Sequence, residues 1–227
     1  MTIALAQETY SGASAGATTI TATLTCTSGN ALHVIGGAND TTQTLSLADG
    51  TNTYTKRGSE VVLGSIRLAQ WTAVNITGGA LTFTLTNSFS SSNRFIIVRE
   101  ISGAALAAFD IANSASQATP GTSTDGVTVS ATNSVQPAFI SAYALRCFFN
   151  TTMTAGTGFT AGGGQSTGGA GEGAWASEHK RVTSATSQAA TFTVGNNGNV
   201  ISVQAIFDEL VAAATKGRLA NSNQGGF

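Results

Sequence analysis

Charged residues make up only 9% of this 227-residue chain, against roughly a quarter in an ordinary soluble domain. Ten Lys and Arg oppose eleven Asp and Glu, for a formal net charge of −1. No basic field exists to draw nucleic acid, so nucleic acid is not among the expected partners. Long apolar runs are missing as well. No stretch approaches the eighteen or so residues of a membrane-spanning helix, and membrane insertion is not expected. Met1–Gly12 shows no basic start followed by a continuous apolar core, so no signal peptide is expected there. Two cysteines, Cys26 and Cys147, are too few for a disulfide-rich scaffold, and neither has a CxxC neighbour. They read as two buried free thiols, or as one long-range disulfide if the chain matures outside a cell.

Catalytic constellations are equally scarce. The chain has no Gly-x-Ser-x-Gly nucleophile elbow and no Walker loop, and Gly162-Gly163-Gly164 is not followed by Lys-Ser or Lys-Thr. Of the two histidines, His33 stands alone between Leu32 and Val34, while His179 follows Glu178. Glu172, Glu178 and His179 offer a metal only a sparse ligand set. Asp40 and Asp49 flank a threonine-rich segment without an EF-hand loop, and the expectation is that both carboxylates cap turns. Asp110 and Glu100 could belong to the carboxylate pair that glycosidase chemistry needs, but nothing in the sequence sets them opposite one another. Arg99-Glu100 reads more simply as local charge pairing at a strand end. No catalytic residue, cofactor or metal is therefore assigned, and a non-enzymatic role is expected.

What the chain does have is strand pattern. Hydrophobic residues make up 41% of it, and 11 Phe give a core its volume. Residues 18–26 alternate threonine with Ile20, Ala22, Leu24 and Cys26, a period of two with one apolar and one hydroxylated face. Residues 81–86 repeat it with Leu81, Phe83 and Leu85. Phe95–Val98 and Phe139–Phe149 are denser, as strands near the centre of a sheet are. Asp49-Gly50 and Gly78-Gly79 mark turns. Asn87–Asn93 and residues 112–126 read as loops, the latter with a short edge strand at most. Residues 150–171, uncharged and rich in glycine, form the longest irregular stretch. Asn196-Asn197-Gly198 joins strands 189–194 and 200–207 as a hairpin. Short strands at this spacing, without helical period between them, give an all-β chain: a single antiparallel β-sandwich of jelly-roll type. It divides into an N-terminal arm (1–17), the sandwich (18–207), and a short helical turn with a C-terminal tail (208–227).

A weakly charged surface is cheap to bury against a neighbour, because few charges must be desolvated. Tyr54, Trp71, Trp175 and the terminal Phe227 are the candidate contact residues. Tyr54, Trp71, Tyr143 and Trp175 offer flat rings on which a sugar could stack, while Trp71 and Trp175 also read as ordinary core or inter-sheet aromatics. Both arms are flexible segments that a neighbour would order as added strands or clamps.

The succession Asn52-Thr53-Tyr54-Thr55, Trp71-Thr72-Ala73, Leu81–Leu85, Ile97–Gly103, Phe109-Asp110 and Gly158-Phe159-Thr160 resembles a family of jelly-roll-like β-sandwich domains. These are found in phage virion proteins and bacterial surface proteins. The resemblance covers residues 18–207, with Ile101-Ser102-Gly103 as its strand-ending turn. It implies a structural or adhesive role and supplies no catalytic residues. The expectation is a virion protein of the capsid-decoration type, exposed on the particle. It would bind the major capsid protein or another virion protein across subunit junctions and associate as a homo-oligomer of closed symmetry, a trimer for example. The alternative is a carbohydrate-binding or host-adhesion module, which would show an exposed aromatic beside a polar cleft.

Overall fold

Alternating and continuous apolar segments both become strands here, and the difference between them is how many faces are covered. The computed structural model describes residues 2–13, 16–39, 42, 44–64, 66–91, 93–117, 128–132, 137–146, 152–166, 174–184, 187–195 and 200–210, with backbone alone at 106–117, 128–132, 163–166 and 187–188. The first nine strands are β1 (Ala4–Ala13), β2 (Ala17–Cys26), β3 (Ala31–Ala38), β4 (Leu45–Ala48), β5 (Thr55–Lys56), β6 (Val61–Leu63), β7 (Ile66–Ala73), β8 (Gly79–Ser91) and β9 (Arg94–Ser102). Next come β10 (Ala104–Gln117), β11 (Thr128–Thr132), β12 (Ala138–Arg146), β13 (Met153–Thr154) and β14 (Thr160–Ser166). The chain continues through β15 (Ala174–Val182), β16 (Ser187–Thr191), β17 (Thr193–Val194) and β18 (Val200–Glu209).

Three antiparallel sheets stack on one another. The middle sheet runs β1-β9-β3-β7-β5, with β6 also paired to β7. Its one face is covered by the three-stranded sheet β2-β8-β4, its other by the five-stranded sheet β10-β18-β12-β15-β14. Ile20, Ala22, Phe83 and Leu85 of the small sheet meet Leu32, Val34, Trp71, Ile96 and Val98 of the middle one. Ile35, Leu68, Phe95 and Ile97 point the other way, onto Tyr143, Leu145, Trp175, Ile201 and Val203. Neighbouring residues of β9 thus enter different cores, which is why Phe95–Val98 reads as one continuous apolar run. Met153, Ala190 and Val194 from the ribbons β11-β16 and β13-β17, with Phe192 between β16 and β17, then cover the far side of the five-stranded sheet over Ala142, Ala144 and Ala176. Each large apolar side chain buried in this stack contributes about 1.5–3 kcal/mol.

The all-β class follows the sequence reading, but the layering goes beyond one two-sheet sandwich. Several segments also differ from expectation. Residues 4–13, expected within a flexible arm, form β1 and pair along β9 from Ala4↔Ser102 to Ala13↔Arg94. Asp208 and Glu209, expected to leave the sheet, continue β18. The Asn87–Asn93 loop is largely strand: β8 runs to Ser91, with Asn87 buried opposite Leu45. Residues 112–117 belong to β10 because β18 needs a ladder partner on that side, and alanine and serine supply one as well as larger residues do. Within 150–171 lie β13 and β14. The expected hairpin between 189–194 and 200–207 does not form. Both edges of β18 are taken by β10 and β12, so 187–194 pairs with β11 and β13 instead. Asn196–Gly198, Cys147 and residues 211–227 lie outside the described residues.

Candidate functional site

One row of side chains crosses the middle sheet: Glu8 on β1 lies opposite Arg99 on β9, which faces His33 on β3, which faces Thr72 on β7. Opposed residues share a face, and this one looks onto the five-stranded sheet. Arg99 Nε donates to Glu8 Oε2 at 2.8 Å, and Nη2 lies 2.7 Å from the same oxygen. Nη1 crosses the interface to donate to Ser141 Oγ and to the Glu178 carbonyl, each at 2.9 Å. Ser177 Oγ donates to Glu8 Oε1 at 2.8 Å, and the guanidinium lies over the Tyr143 ring, 4.6 Å from its centroid.

The donor count fixes the protons. A guanidinium only donates, so Ser141 accepts from Arg99 and turns its own hydroxyl proton to His33 Nδ1 at 2.8 Å. His33 is then the Nε2–H tautomer, assigned from this network, and donates to Gln70 Oε1 at 3.0 Å. Serine, histidine and an orienting amide in series have the outline of an activated nucleophile. The chemistry runs against it. Burial pushes His33 down to about 3, the Gln70 hydrogen bond opposing and the Arg99 charge adding to the fall, so the ring is a poor base near neutrality. Ser141 is pinned by a cation, and Arg99, His33, Ser141 and Ser177 are all 0% exposed. Apolar residues close both ends: Tyr143, Leu145 and Trp175 on one side, Ile101, Phe139 and Phe207 on the other. The cluster joins two sheets, and among the described residues its polar atoms are closed off from solvent.

Glycine answers part of this arrangement. A Cβ on Gly162 of β14 would lie 1.9 Å from Ser177 Oγ and 2.6 Å from Arg99 Nη2. Gly162 thus makes room for a guanidinium, and it serves close packing where a phosphate loop was considered and set aside.

The sequence-predicted contact residues are scattered. Trp71 is buried in the core beneath the small sheet, with Lys56 Nζ 5.4 Å from its ring centroid. Trp175 is buried in the other core and stacks on Tyr10 at 5.0 Å. Both indoles are thus consumed by packing between sheets, and neither presents a face to a sugar or a partner. Tyr54 is half-buried, set edge-on to Phe83, and its hydroxyl donates to Asp49 at 2.6 Å. Phe227 lies outside the described residues.

The candidate acids are occupied locally. Asp49 accepts from the N–H groups of Thr51 and Asn52 at 2.8 and 2.7 Å, the turn-capping role expected of it. Asp40, Glu172 and the side chain of Asp110 lie outside the described residues. Glu100 faces away from Arg99, so the expected local pair is replaced: Arg99 pairs with Glu8, and Glu100 accepts from Thr27 N–H, Asn30 Nδ2 and Gln7 Nε2. His179 stacks on Phe139 at 5.4 Å. Among the described residues no three His, Cys, Asp or Glu side chains gather as a metal site.

The surface feature that stands apart is the outer face of the small sheet. Thr19, Thr21, Thr23 and Thr25 of β2 lie beside Thr86, Thr84, Thr82 and Ala80 of β8, and Ser46 and Ala48 extend the face onto β4. All are exposed except the half-buried Thr84, and no charged side chain belongs to the face. A depression of about 270 Å³ lies among Thr23, Leu24, Thr25, Ala80, Leu81 and Thr82. Further along β8, Phe89 is 65% exposed between Ser88 and Ser90. Sequence reasoning passed over Phe89 because it sits in a segment read as a polar loop. No family model, curated protein or solved structure matches the chain.

Proposed function

We propose that this protein is a non-enzymatic structural component of a virus particle, a β-sandwich protein of jelly-roll kinship that decorates a capsid and binds across subunit junctions. The observation that carries the reading is the uncharged threonine face of β2, β8 and β4. A face of methyls and hydroxyls can be covered by another protein without stripping water from an ion, and its hydroxyls can bond to whatever backbone or side chain meets them. Mechanism here is physical. Many copies seated over junctions raise the cost of separating the subunits beneath them. The test is cryo-electron microscopy of the protein added to particles of its own source that lack it. Ordered density over capsid junctions, lost in a Thr82→Lys variant that melts like wild type, is the expected result. Particles that assemble normally and bind no copy would refute the role.

A second reading, adhesion to a host glycan, rests on Phe89, an exposed ring beside serine hydroxyls. It predicts binding on a glycan array that Phe89→Ala abolishes.

A further inference from the structure

We infer that the free edge of β2 is a pairing edge for β2 of a second copy, joining two small sheets into one of six strands about a two-fold axis. Among the described residues β2 is the outer strand of its sheet, paired on one side only, with β8. Proteins protect such edges with Lys, Pro or inward charge; Ala-Thr-Thr-Ile-Thr-Ala-Thr-Leu-Thr-Cys contains none of these. Protection comes from elsewhere and covers the ends alone. Arg94 Nη1 donates to the Ala17 carbonyl at 2.8 Å and Nε to that of Thr19 at 3.2 Å. Gln7 Nε2 donates to the Thr25 carbonyl at 2.6 Å. The capped carbonyls are all odd-numbered. In an antiparallel ladder the outward N–H and C=O groups recur every second residue, so those of Thr21 and Thr23 lie on the same free side. No described side chain caps either one. Below them β1 presents Thr9 and Ser11, short side chains opposite Val98 and Ile96.

These two open residues define one register. An antiparallel pair of β2 strands centred on Ala22 sets Thr21 opposite Thr23 of the second copy, and each such pair exchanges two backbone hydrogen bonds. Two pairs give four bonds, ending where the Arg94 and Gln7 caps begin. Facing residues share a face, so threonine meets threonine outside, while inside Ile20 meets Leu24 and Ala22 meets Ala22 at the axis. Leu24, half-buried in one copy, gains the apolar neighbour that its place at the edge denies it. The interface is isologous, as two-fold association requires. The threonine face then runs unbroken through β4, β8 and β2 of both copies.

The test uses the full chain in sedimentation velocity across micromolar concentrations. Wild type should dimerise reversibly. Thr21→Pro removes an N–H that the β8 ladder does not use and should weaken dimerisation at least about tenfold, as the loss of interfacial backbone bonds requires. Thr82→Lys, on the face but off the edge, should dimerise as wild type does while losing any capsid binding, so the edge and the face are tested apart. Should Thr21→Pro fail to fold, the register is read by oxidation: Ala22→Cys should give a covalent dimer and Leu24→Cys should not. A wild type monomeric at all concentrations overturns the inference. So does equal dimerisation of a folded Thr21→Pro, or cross-linking through Leu24→Cys and not Ala22→Cys.

Discussion

Arg99→Met is the most demanding test of how the middle and five-stranded sheets are held. Methionine keeps much of the apolar stem but deletes the guanidinium, leaving the Glu8 carboxylate, 2% exposed, with the Ser177 hydroxyl and no cation. Stranding one member of a buried ion pair costs about 3–5 kcal/mol. At roughly 2–4 °C per kcal/mol for a chain of this size, the melting temperature should fall by roughly 6–20 °C. The serine and the Glu178 carbonyl that also accept from Arg99 add to the loss. Replacing both ions is a different matter, because no net charge then stays buried. The double variant Glu8→Gln/Arg99→Met should recover at least about half of the single-variant loss, a coupling on the order of 2 kcal/mol. Urea unfolding measures this, followed by Trp175 fluorescence in a Trp71→Phe background. Trp175 stacks on Tyr10 in the same interface, so it reports the seam being perturbed. An Arg99→Met cost below about 1 kcal/mol, or additivity within about 0.5 kcal/mol, would refute the view that this pair is sealed and coupled.

Three further outcomes follow from buried groups. Burial pushes Glu178 up to about 7 from 4.5, against the pull of the Gly156 and Thr191 N–H groups and the Arg99 charge. Between these values the folded state holds the extra proton, so this group's own contribution to stability should fall as pH rises, by at most about 3 kcal/mol. Burial holds His33 and His179 down to about 3 and about 4, and both oppose this trend over the same range. The Glu178 contribution is therefore read by difference. Urea-derived stability should rise more from pH 5 to pH 8 in Glu178→Gln than in wild type, and equal pH dependence of the two disproves the assignment. Gly162→Ala should destabilise by about 1–3 kcal/mol through overpacking against Ser177 and Arg99, and a neutral thermal melt would count against that close approach. Burial, with Glu100 and Asp49 adding, pushes the Cys26 thiol up to about 12. In a Cys147→Ser background it should therefore resist thiol reagents at pH 8 until the chain is unfolded, and rapid native labelling would contradict this.

How far the sequence foretold this depends on whether each residue's partner is local. β2 and the middle of β8 were legible because threonine alternates with Ile20, Ala22, Phe83 and Leu85, and the pattern itself names the buried face. β1 was not. Its Gln7, Glu8 and Tyr10 look like solvated arm residues, and Glu8 becomes a core residue only because Arg99 stands opposite it, 91 positions away. Nothing near either residue announces the other. Asp49 was read correctly because its partners, Thr51 and Asn52, follow it directly. Trp71 and Trp175 were legible as aromatics of the core or between sheets, and both are buried there. A tryptophan on a strand that serves a surface has the same sequence signature, so the contact reading stood beside it. The third layer was hidden for a related reason. Continuous apolar strands such as β9 and β12 show that both faces are covered, but not by what.

That third layer changes what the scarcity of charge means. In a two-sheet sandwich each strand needs one solvated face, so a chain with 9% charged residues would have to hide much of its surface against neighbours. Here the middle sheet is covered on both faces and the five-stranded sheet is covered by ribbons. Much of the uncharged sequence is accounted for inside a single copy. The few ions are partly spent inside as well, with Arg99, Glu8, Glu100 and Glu178 all holding buried carbonyls, hydroxyls or amides in place. What this accounting leaves over is the small sheet, whose outer face meets no second layer among the described residues and carries no charge and no glycine from Thr19 to Thr25. A solvated β-face under no other demand normally collects lysine and glutamate, because they cost nothing there and keep chains apart. Their exclusion from this face, in a chain that carries Lys56, Glu60 and Arg67 on strands and loops close by, is what a covered surface would require.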